Sequence, residues 1–297
     1  MITTFLNLYA ALTLGSTGPQ TFLNDPQEKY LKNFDSVVPA SVLPVKNHTS
    51  ISPLIEAESQ IIVDFDSGKI LYEKNSNKKM QIASITKLMT AIVALEEENL
   101  DEIITISLDA ALTEGSKIWL LEGEKITLKN LLYGVLIHSG NDAAYAIAEH
   151  LGEGDIKIFV EKMNQKAIDL GLLSTHFENP IGFDSKQNYS TAYDLSILAR
   201  YAYRKPFIRD AADIRSMSIS SVDGQQEHKL DTTNELLGSF LKVLGLKTGT
   251  TELAGQCLIS IVENDRGRKI ITVMLNSPER FSETKSLAAW AFRSFTW

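Results

Sequence analysis

Apolar positions along the chain begin in strand-like runs, change to a helical period, and return to strand-like runs near the end. S-Q-I-I-V-D-F and K-I-L-Y-E-K flank Asp66-Ser67-Gly68, a turn signal, and predict a β-hairpin. From Ser84 the period becomes helical, with Ile85, Leu88, Met89, Ile92 and Leu95 on one face. Leu128, Leu131, Leu132, Val135 and Leu136 make a second helical stripe. Asp155 is placed to cap a third helix, which carries Phe159, Val160, Met163 and Ala167 and ends at Gly171. Thr191 opens a fourth, with Asp194 three residues on in a capping-box-like start. Strand patterns resume near residue 215, where R-S-M-S-I-S and E-H-K-L bracket Asp223-Gly224. L-K-T-G-T-T and G-Q-C-L-I-S-I-V then lead through N-D-R-G to K-I-I-T-V-M-L, and a closing helix turns Leu287, Trp290 and Ala291 inward.

Strands at both ends with helices between predict one sheet and an inserted helical lobe, roughly residues 108–205. A cleft between sheet and lobe is the natural place for a site. The domain is expected over 53–297, preceded by an apolar segment and a linker or arm over 1–52. Residues 15–52 mix Gly, Pro, Ser, Asn and charges without periodicity, as an arm wrapping onto a domain does. Residues 2–14 are apolar but shorter than the ~20 residues of a membrane span. They have the length of a signal-peptide core or signal anchor, without its usual basic start or an A-x-A cleavage site.

Composition narrows the function classes. The 297 residues carry a formal net charge of −8, which argues against a nucleic-acid surface. Cys257 is the one cysteine, so neither an internal disulfide nor a cysteine-based metal site is expected. His48, His138, His150, His176 and His228 lack ligand spacing, as ordinary surface or packed histidines do.

Three short motifs carry the chemistry. Ser84-Ile85-Thr86-Lys87 is a Ser-x-x-Lys, whose i, i+3 spacing puts hydroxyl and amine on one helix face. A serine hydroxyl attacks only once a base takes its proton, and a lysine made neutral by burial and nearby positive charge can be that base. Ser76/Lys79, Ser239/Lys242 and Ser282/Lys285 share the spacing, but only Ser84 opens a strongly apolar helix just after a hairpin. Ser139-Gly140-Asn141 follows an apolar helix. Ser139 is placed to relay protons and Asn141 to bond Lys87 or the substrate backbone, although the same three residues also suit a plain helix–helix turn. Lys247-Thr248-Gly249, continuing Thr250-Thr251, falls where a sheet strand is expected. Gly249 lets a substrate backbone approach, and Lys247, Thr248 and Thr250 are suited to a carboxylate. The Thr250 N–H with that of Ser84 would form an oxyanion hole. In this order the motifs match the Ser-x-x-Lys, Ser-Asp-Asn and Lys-Thr-Gly signature of class A β-lactamases and penicillin-binding proteins, with Gly in place of the Asp.

From about residue 55 onward the chain resembles the low-molecular-mass penicillin-binding proteins, the D-alanyl-D-alanine carboxypeptidase family. The likeness extends through A-S-I-T-K-L-M-T, S-G-N-D-A-A, E-N-P-I-G-F, Y-S-T-A-Y-D-L and G-L-K-T-G-T-T-E-L-A-G. It implies an α/β (α+β) fold of the β-lactamase/transpeptidase-like kind, a mainly antiparallel sheet flanked by terminal helices with an all-helical lobe inserted. It implies that terminal D-Ala is removed from peptidoglycan stem peptides through an acyl-enzyme on Ser84, and that penicillins acylate the same serine. Lys87 would be the base, Ser139 and Asn141 would come from the lobe, and Lys247, Thr248 and Thr250 would line the strand side; the resemblance implies no metal or organic cofactor. An extracytoplasmic location is implied, with membrane contact through the N-terminus at most.

Three departures bear on these expectations. Family members often carry His where this chain has Asn188. Many continue into a C-terminal β-rich domain and an amphipathic helix, which a chain stopping at Trp297 is expected to lack. Some place a carboxylate-binding arginine near T-T-N-E-L-L; residues 231–237 contain none, which leaves carboxylate binding to Lys247, Thr248 and Thr250. The competing readings are a D,D-endopeptidase, a β-lactamase and a catalytically silent peptidoglycan-binding module. A class A β-lactamase needs a deacylating glutamate, for which Glu178 is the nearest candidate; Gly182 stands where that segment has asparagine, so Glu178 is expected to be structural or solvent-facing.

Overall fold

The computed structural model describes residues 43–47 and 50–297. The apolar run 2–14 and most of the arm lie outside the described residues. The predicted hairpin is β2 (Ser59–Asp64) and β3 (Ile70–Lys74), joined through Gly68 at φ +73°. They join β10 (Lys242–Thr251), β11 (Gly255–Glu263) and β12 (Lys269–Ser277) in one five-stranded antiparallel sheet ordered β10-β11-β12-β2-β3. Strands from early and late in the described residues thus share one sheet.

That sheet is covered on both faces, so its inner strands are apolar on both sides rather than alternating. Ile61, Val63, Ile259 and Val273 face one core, while Ile62, Leu258, Ile270 and Met274 face the other. The second face is closed by α8 (Arg280–Ser294), which buries Leu287, Trp290 and Ala291 as its pattern predicts. The first is closed by α6 (Ala192–Arg204), which packs on β2 and β12. Each aliphatic side chain so enclosed contributes about 1.5–3 kcal/mol relative to exposure. Of the terminal helices expected, α8 is present; the N-terminal apolar segment is outside the described residues. A short strand, β1 (Val45–Lys46), lies within the segment read as an arm and pairs with β13 (Phe295–Thr296).

The helices between the two sheet portions begin with a 3-10 turn (Ala83–Thr86) running into α1 (Lys87–Glu97). A single apolar face was expected for α1, but every residue from Lys87 to Ala94 is buried. The physical reason is its central position: α1 packs against α4 (Asn141–Leu151), α5 (Ile156–Asp169), α6 and the segment before α4. A helix enclosed on all sides has no polar face to show. Asp155 caps α5 by accepting from Lys157 N, and Gly171 follows its end at φ +73°. Thr191 caps α6 by accepting from Asp194 N. The return half of that capping box is absent, because the Asp194 carboxylate instead accepts from Ser174 N and Thr175 Oγ1, both at 2.8 Å.

The strands predicted near 215 form, but as a separate hairpin of β8 (Ser216–Ser220) and β9 (Glu227–Asp231) outside the main sheet. Three other two-residue or three-residue pairings complete the strands: β4 (Met80–Gln81) with β7 (Tyr189–Ser190), and β5 (Ile103–Thr105) with β6 (Lys125–Thr127), besides β1 with β13. The remaining helices are α2 (Leu108–Leu112), α3 (Leu128–Tyr133) and α7 (Pro206–Ala212). No helix among the described residues is long and apolar enough to cross a membrane.

Candidate active site

Ser84 sits in the 3-10 turn, one residue after Ala83, whose φ of +47° is unusual for a residue with a side chain. Two glycines make that turn possible. A Cβ on Gly182 (φ +90°) would lie 2.0 Å from Ala83 O and 2.9 Å from Ser84 N. On the other side, a Cβ on Gly249 would lie 2.9 Å from Ser84 N and 3.0 Å from Ile82 O. The Ser84 backbone is therefore gripped between the 179–183 segment and β10, in a gap that exists because neither neighbour has a side chain. Ser84 N–H belongs to the first turn of its helix, where backbone donors lack an intrahelical acceptor.

Lys87, fully buried, brings its Nζ to 2.9 Å from Ser84 Oγ, 2.6 Å from Asn141 Oδ1 and 2.7 Å from Ile181 O. Burial holds its pKa well below the ordinary lysine value; the Lys247 charge pushes it the same way, and Asp142 opposes both. A neutral amine has two N–H donors and one lone pair. The two carbonyl oxygens, Asn141 Oδ1 and Ile181 O, take the donors, which leaves the lone pair for the Ser84 hydroxyl proton. Asn141 is in turn fixed by donating Nδ2–H to Glu114 O at 2.6 Å.

Ser139 closes the segment Gly134–His138, which has π-helical geometry, and takes the left-handed conformation at φ +65° before α4 begins at Asn141. That bend turns its hydroxyl to Lys247, whose Nζ donates to Ser139 Oγ at 2.8 Å and to Thr248 O at 3.0 Å. Burial lowers the Lys247 pKa to about 7, and the nearby Arg280 adds to the shift. Thr248 is buried and Thr250 is exposed. The motif is thus a helix–helix turn and part of the site at once. Ser84, Lys87 and Asn141 form one hydrogen-bonded group and Ser139, Lys247 and Thr248 a second, near enough that the Lys247 charge acts on Lys87; Gly249 and Thr250 follow along β10.

The rival Ser-x-x-Lys pairs lie elsewhere. The Ser76 hydroxyl donates to Glu73, and Lys79 lies over the Tyr189 ring. Lys242 pairs with Glu263 at the sheet edge. Ser282 and Lys285 sit on α8. Among the described residues, no group of three or more His, Cys, Asp or Glu side chains is arranged to hold a metal ion.

Residues 46–279 match the family model described as Peptidase S11, D-alanyl-D-alanine carboxypeptidase. The chain belongs to that family. It is 35% identical over 247 residues to D-alanyl-D-alanine carboxypeptidase DacF of Bacillus subtilis, which covers 81% of this chain and 63% of DacF. It is 34% identical over 260 residues to DacC of Escherichia coli, covering 82% of this chain and 63% of DacC. The chain therefore spans a little under two thirds of the length of these curated relatives. The crystal structure of the Streptomyces K15 DD-transpeptidase superposes with a TM-score of 0.77 at 31% identity, covering 82% of this chain and 99% of that one. The penicillin-binding/transpeptidase fold that the resemblance implies is the fold of this chain.

Several residues of the site were not singled out from sequence. Arg280, at the start of α8, donates from Nη1 to Gly249 O at 2.8 Å and to Thr250 Oγ1 at 2.5 Å. The arginine sought in 231–237 is absent there, and Thr233 from that stretch meets Thr248 Oγ1 through its own Oγ1 at 2.5 Å. Strand register is what delivers Arg280: Thr250 pairs with Gln256 and Gln256 with Ser277, three residues before it. Its only signal in sequence was an arginine just past the end of a strand. Asp142, fully buried, accepts N–H bonds from Ile118, Trp119, Leu120 and Ala143, and so anchors the loop over α4. Four donors are what a carboxylate needs when it is taken out of water. Asn188, in place of the common His, is buried and donates to Thr86 Oγ1 at 3.1 Å. Glu178 is exposed.

Proposed function

We propose that this chain is a serine D-alanyl-D-alanine carboxypeptidase that trims peptidoglycan stem peptides through an acyl-enzyme on Ser84. The observation that carries this reading is the contact of Ser84 Oγ with a fully buried Lys87 Nζ at 2.9 Å, with a conformation and surroundings suited to a neutral amine. The peptide's penultimate carbonyl lies against Ser84, with the N–H groups of Ser84 and Thr250 as oxyanion donors. Lys87 takes the Ser84 proton as the hydroxyl attacks. The proton reaches the departing D-Ala amine by way of Ser139, which is bonded to Lys247. The terminal carboxylate is held by Lys247, Thr248, Thr250 and Arg280, a concentration of positive charge at the strand end of the cleft. Water then hydrolyses the Ser84 ester. β-Lactams, whose strained amide occupies the place of the scissile bond, acylate the same serine and act as inhibitors. A peptidoglycan substrate places the enzyme outside the cytoplasmic membrane, in the bacterial cell envelope.

The decisive experiment incubates the purified protein with a fluorescent penicillin, with a pentapeptide ending in D-Ala-D-Ala, and with a crosslinked dimer. Covalent labelling and release of D-Ala from the pentapeptide are expected. Absence of labelling would turn the reading toward a catalytically silent binding module, and preferential cleavage of the dimer toward an endopeptidase.

A further inference from the structure

The hairpin of β8 and β9 stands outside the main sheet, and the reaction described above uses none of its side chains. It is nevertheless tied to both hydrogen-bonded groups of the site. Just past β9, Thr233 N–H donates to Ile137 O, and Thr233 Oγ1 meets Thr248 Oγ1 at 2.5 Å. The Asp231 backbone meets the His138 ring, one residue before Ser139, at 3.1 Å. These contacts reach the group of Ser139, Lys247 and Thr248.

The other tie is a buried charged pair. His228, on β9, places Nδ1 2.8 Å from Ile118 O and Nε2 2.8 Å from Glu124 Oε1, and the two side chains are only 5% and 2% exposed. Glu124 Oε2 also accepts from Leu121 N–H at 3.1 Å. A carbonyl and a carboxylate both accept, so an imidazolium, which donates from both ring nitrogens, satisfies them together. Glu124 and Asp142 are the charged groups that face the ring, and its cross-strand neighbour on β8 is Ile219. The Glu124 hydrogen bond raises the His228 pKa; burial opposes it, and the Glu124 charge, the Ile118 carbonyl and Asp142 add to the rise.

What this pair holds is the segment that holds Asn141. The N–H groups of Ile118, Trp119 and Leu120 all donate to buried Asp142. Trp119 takes φ +66°, which a bulky residue avoids, so the segment does not keep its shape by local preference. Ser116 O accepts from Asn141 N–H at 2.7 Å, and Glu114 O from Asn141 Nδ2–H at 2.6 Å. Asn141 Oδ1 in turn accepts from Lys87 Nζ at 2.6 Å. A path of hydrogen bonds, completed by the Asn141–Asp142 peptide link, therefore runs from Glu124 and His228 through Ile118 to Lys87.

We propose that the β8–β9 hairpin is a brace between the two groups of the site, and that His228 is the positioning residue through which it holds Asn141 against Lys87. Stability alone does not call for an ion pair at this place, since apolar residues of similar size often replace a buried pair without loss. An apolar pair would fill the same space, but it has no donor for Ile118 O. This inference rests on the carboxypeptidase reading and deepens it.

The test replaces the pair as a unit, Glu124→Leu/His228→Phe, because removing one partner would strand the other charge in the core. Acylation by a fluorescent penicillin is followed by stopped flow, well below the Tm of each protein, to separate the limiting rate from the half-saturating concentration. Misplacing a catalytic group by about 1 Å costs on the order of 10²-fold; the smaller shift expected of Asn141 should slow the limiting rate roughly tenfold. The half-saturating concentration should stay as in wild type, and amide exchange in a peptide spanning residues 114–124 should quicken. If the double variant does not fold, His228→Gln, which keeps a neutral donor, should show the same split with a smaller loss. A wild-type limiting rate in the folded variant, a change confined to half-saturation, or a slower rate with unaltered exchange in 114–124 would overturn the inference and leave the carboxypeptidase reading intact. Absence of labelling in the wild-type protein would remove that reading, and the inference with it.

Discussion

Replacing Gly182 with alanine should cripple acylation without touching any group that reacts. The added Cβ would lie 2.0 Å from Ala83 O and 2.9 Å from Ser84 N, where real Cβ contacts do not fall below 3.0 Å. Neither opposing atom is the free end of a side chain, so relief requires the Ala83–Ser84 backbone to move by about 1 Å. A displacement of that size at a reacting group costs on the order of 10²-fold in rate. The φ of +90° adds backbone strain of about 1–3 kcal/mol for a residue with a side chain. In a domain of this size that corresponds to a fall in Tm of roughly 2–12 °C. Gly224 supplies the control: it has φ +70° but nothing within 4 Å of an added Cβ. The assay is the second-order rate of labelling by fluorescent penicillin, measured well below the Tm of each variant. Gly182→Ala should label about a hundredfold more slowly, whereas Gly224→Ala should lose some stability and label as wild type. If Gly182→Ala labels at the wild-type rate, or if the two variants slow alike, the clamp on Ser84 is not what orients it.

Ser84→Ala should abolish penicillin labelling, and Ser76→Ala, whose hydroxyl serves Glu73 instead, should label normally; intact-mass spectrometry would read both. Lys247 titrates near 7 in the folded protein, whereas an unfolded lysine titrates near ~10.4. Between those values the unfolded chain binds the extra proton, so this group makes stability rise with pH across that window, and below about 7 its destabilising effect is full and constant. Lys247→Met should therefore melt higher than wild type near pH 6, with the gap narrowing toward pH 10, while labelling is lost; a gap that stays constant over this range would contradict the shift. Because Glu178 is exposed, the penicilloyl ester on Ser84 should persist, and Glu178→Ala should not lengthen its lifetime. Rapid multiple-turnover hydrolysis that this substitution abolishes would make the protein a β-lactamase.

How much of this was legible in the chain follows from the range of each interaction. The hairpin turn at Gly68, the Asp155 and Thr191 caps and the Gly171 stop depend on bonds to residues a few positions away, so the chain alone specifies them. The Ser84–Lys87 contact is equally local, being one turn of helix. The order of the three motifs was readable as chemistry, since hydroxyl, amine and amide have few joint uses. Other features rest on partners far along the chain. The 3-10 geometry at Ser84 depends on Gly182 and Gly249, and the burial of α1 on all sides depends on the helices packed around it. Arg280 reaches Thr250 only through the register of β10, β11 and β12, which no spacing in the sequence encodes. The lowered pKa values of Lys87 and Lys247 are the furthest from the sequence. A lysine is a strong base in any chain, and it becomes a proton acceptor near neutral pH only when tertiary packing takes it out of water beside another positive charge.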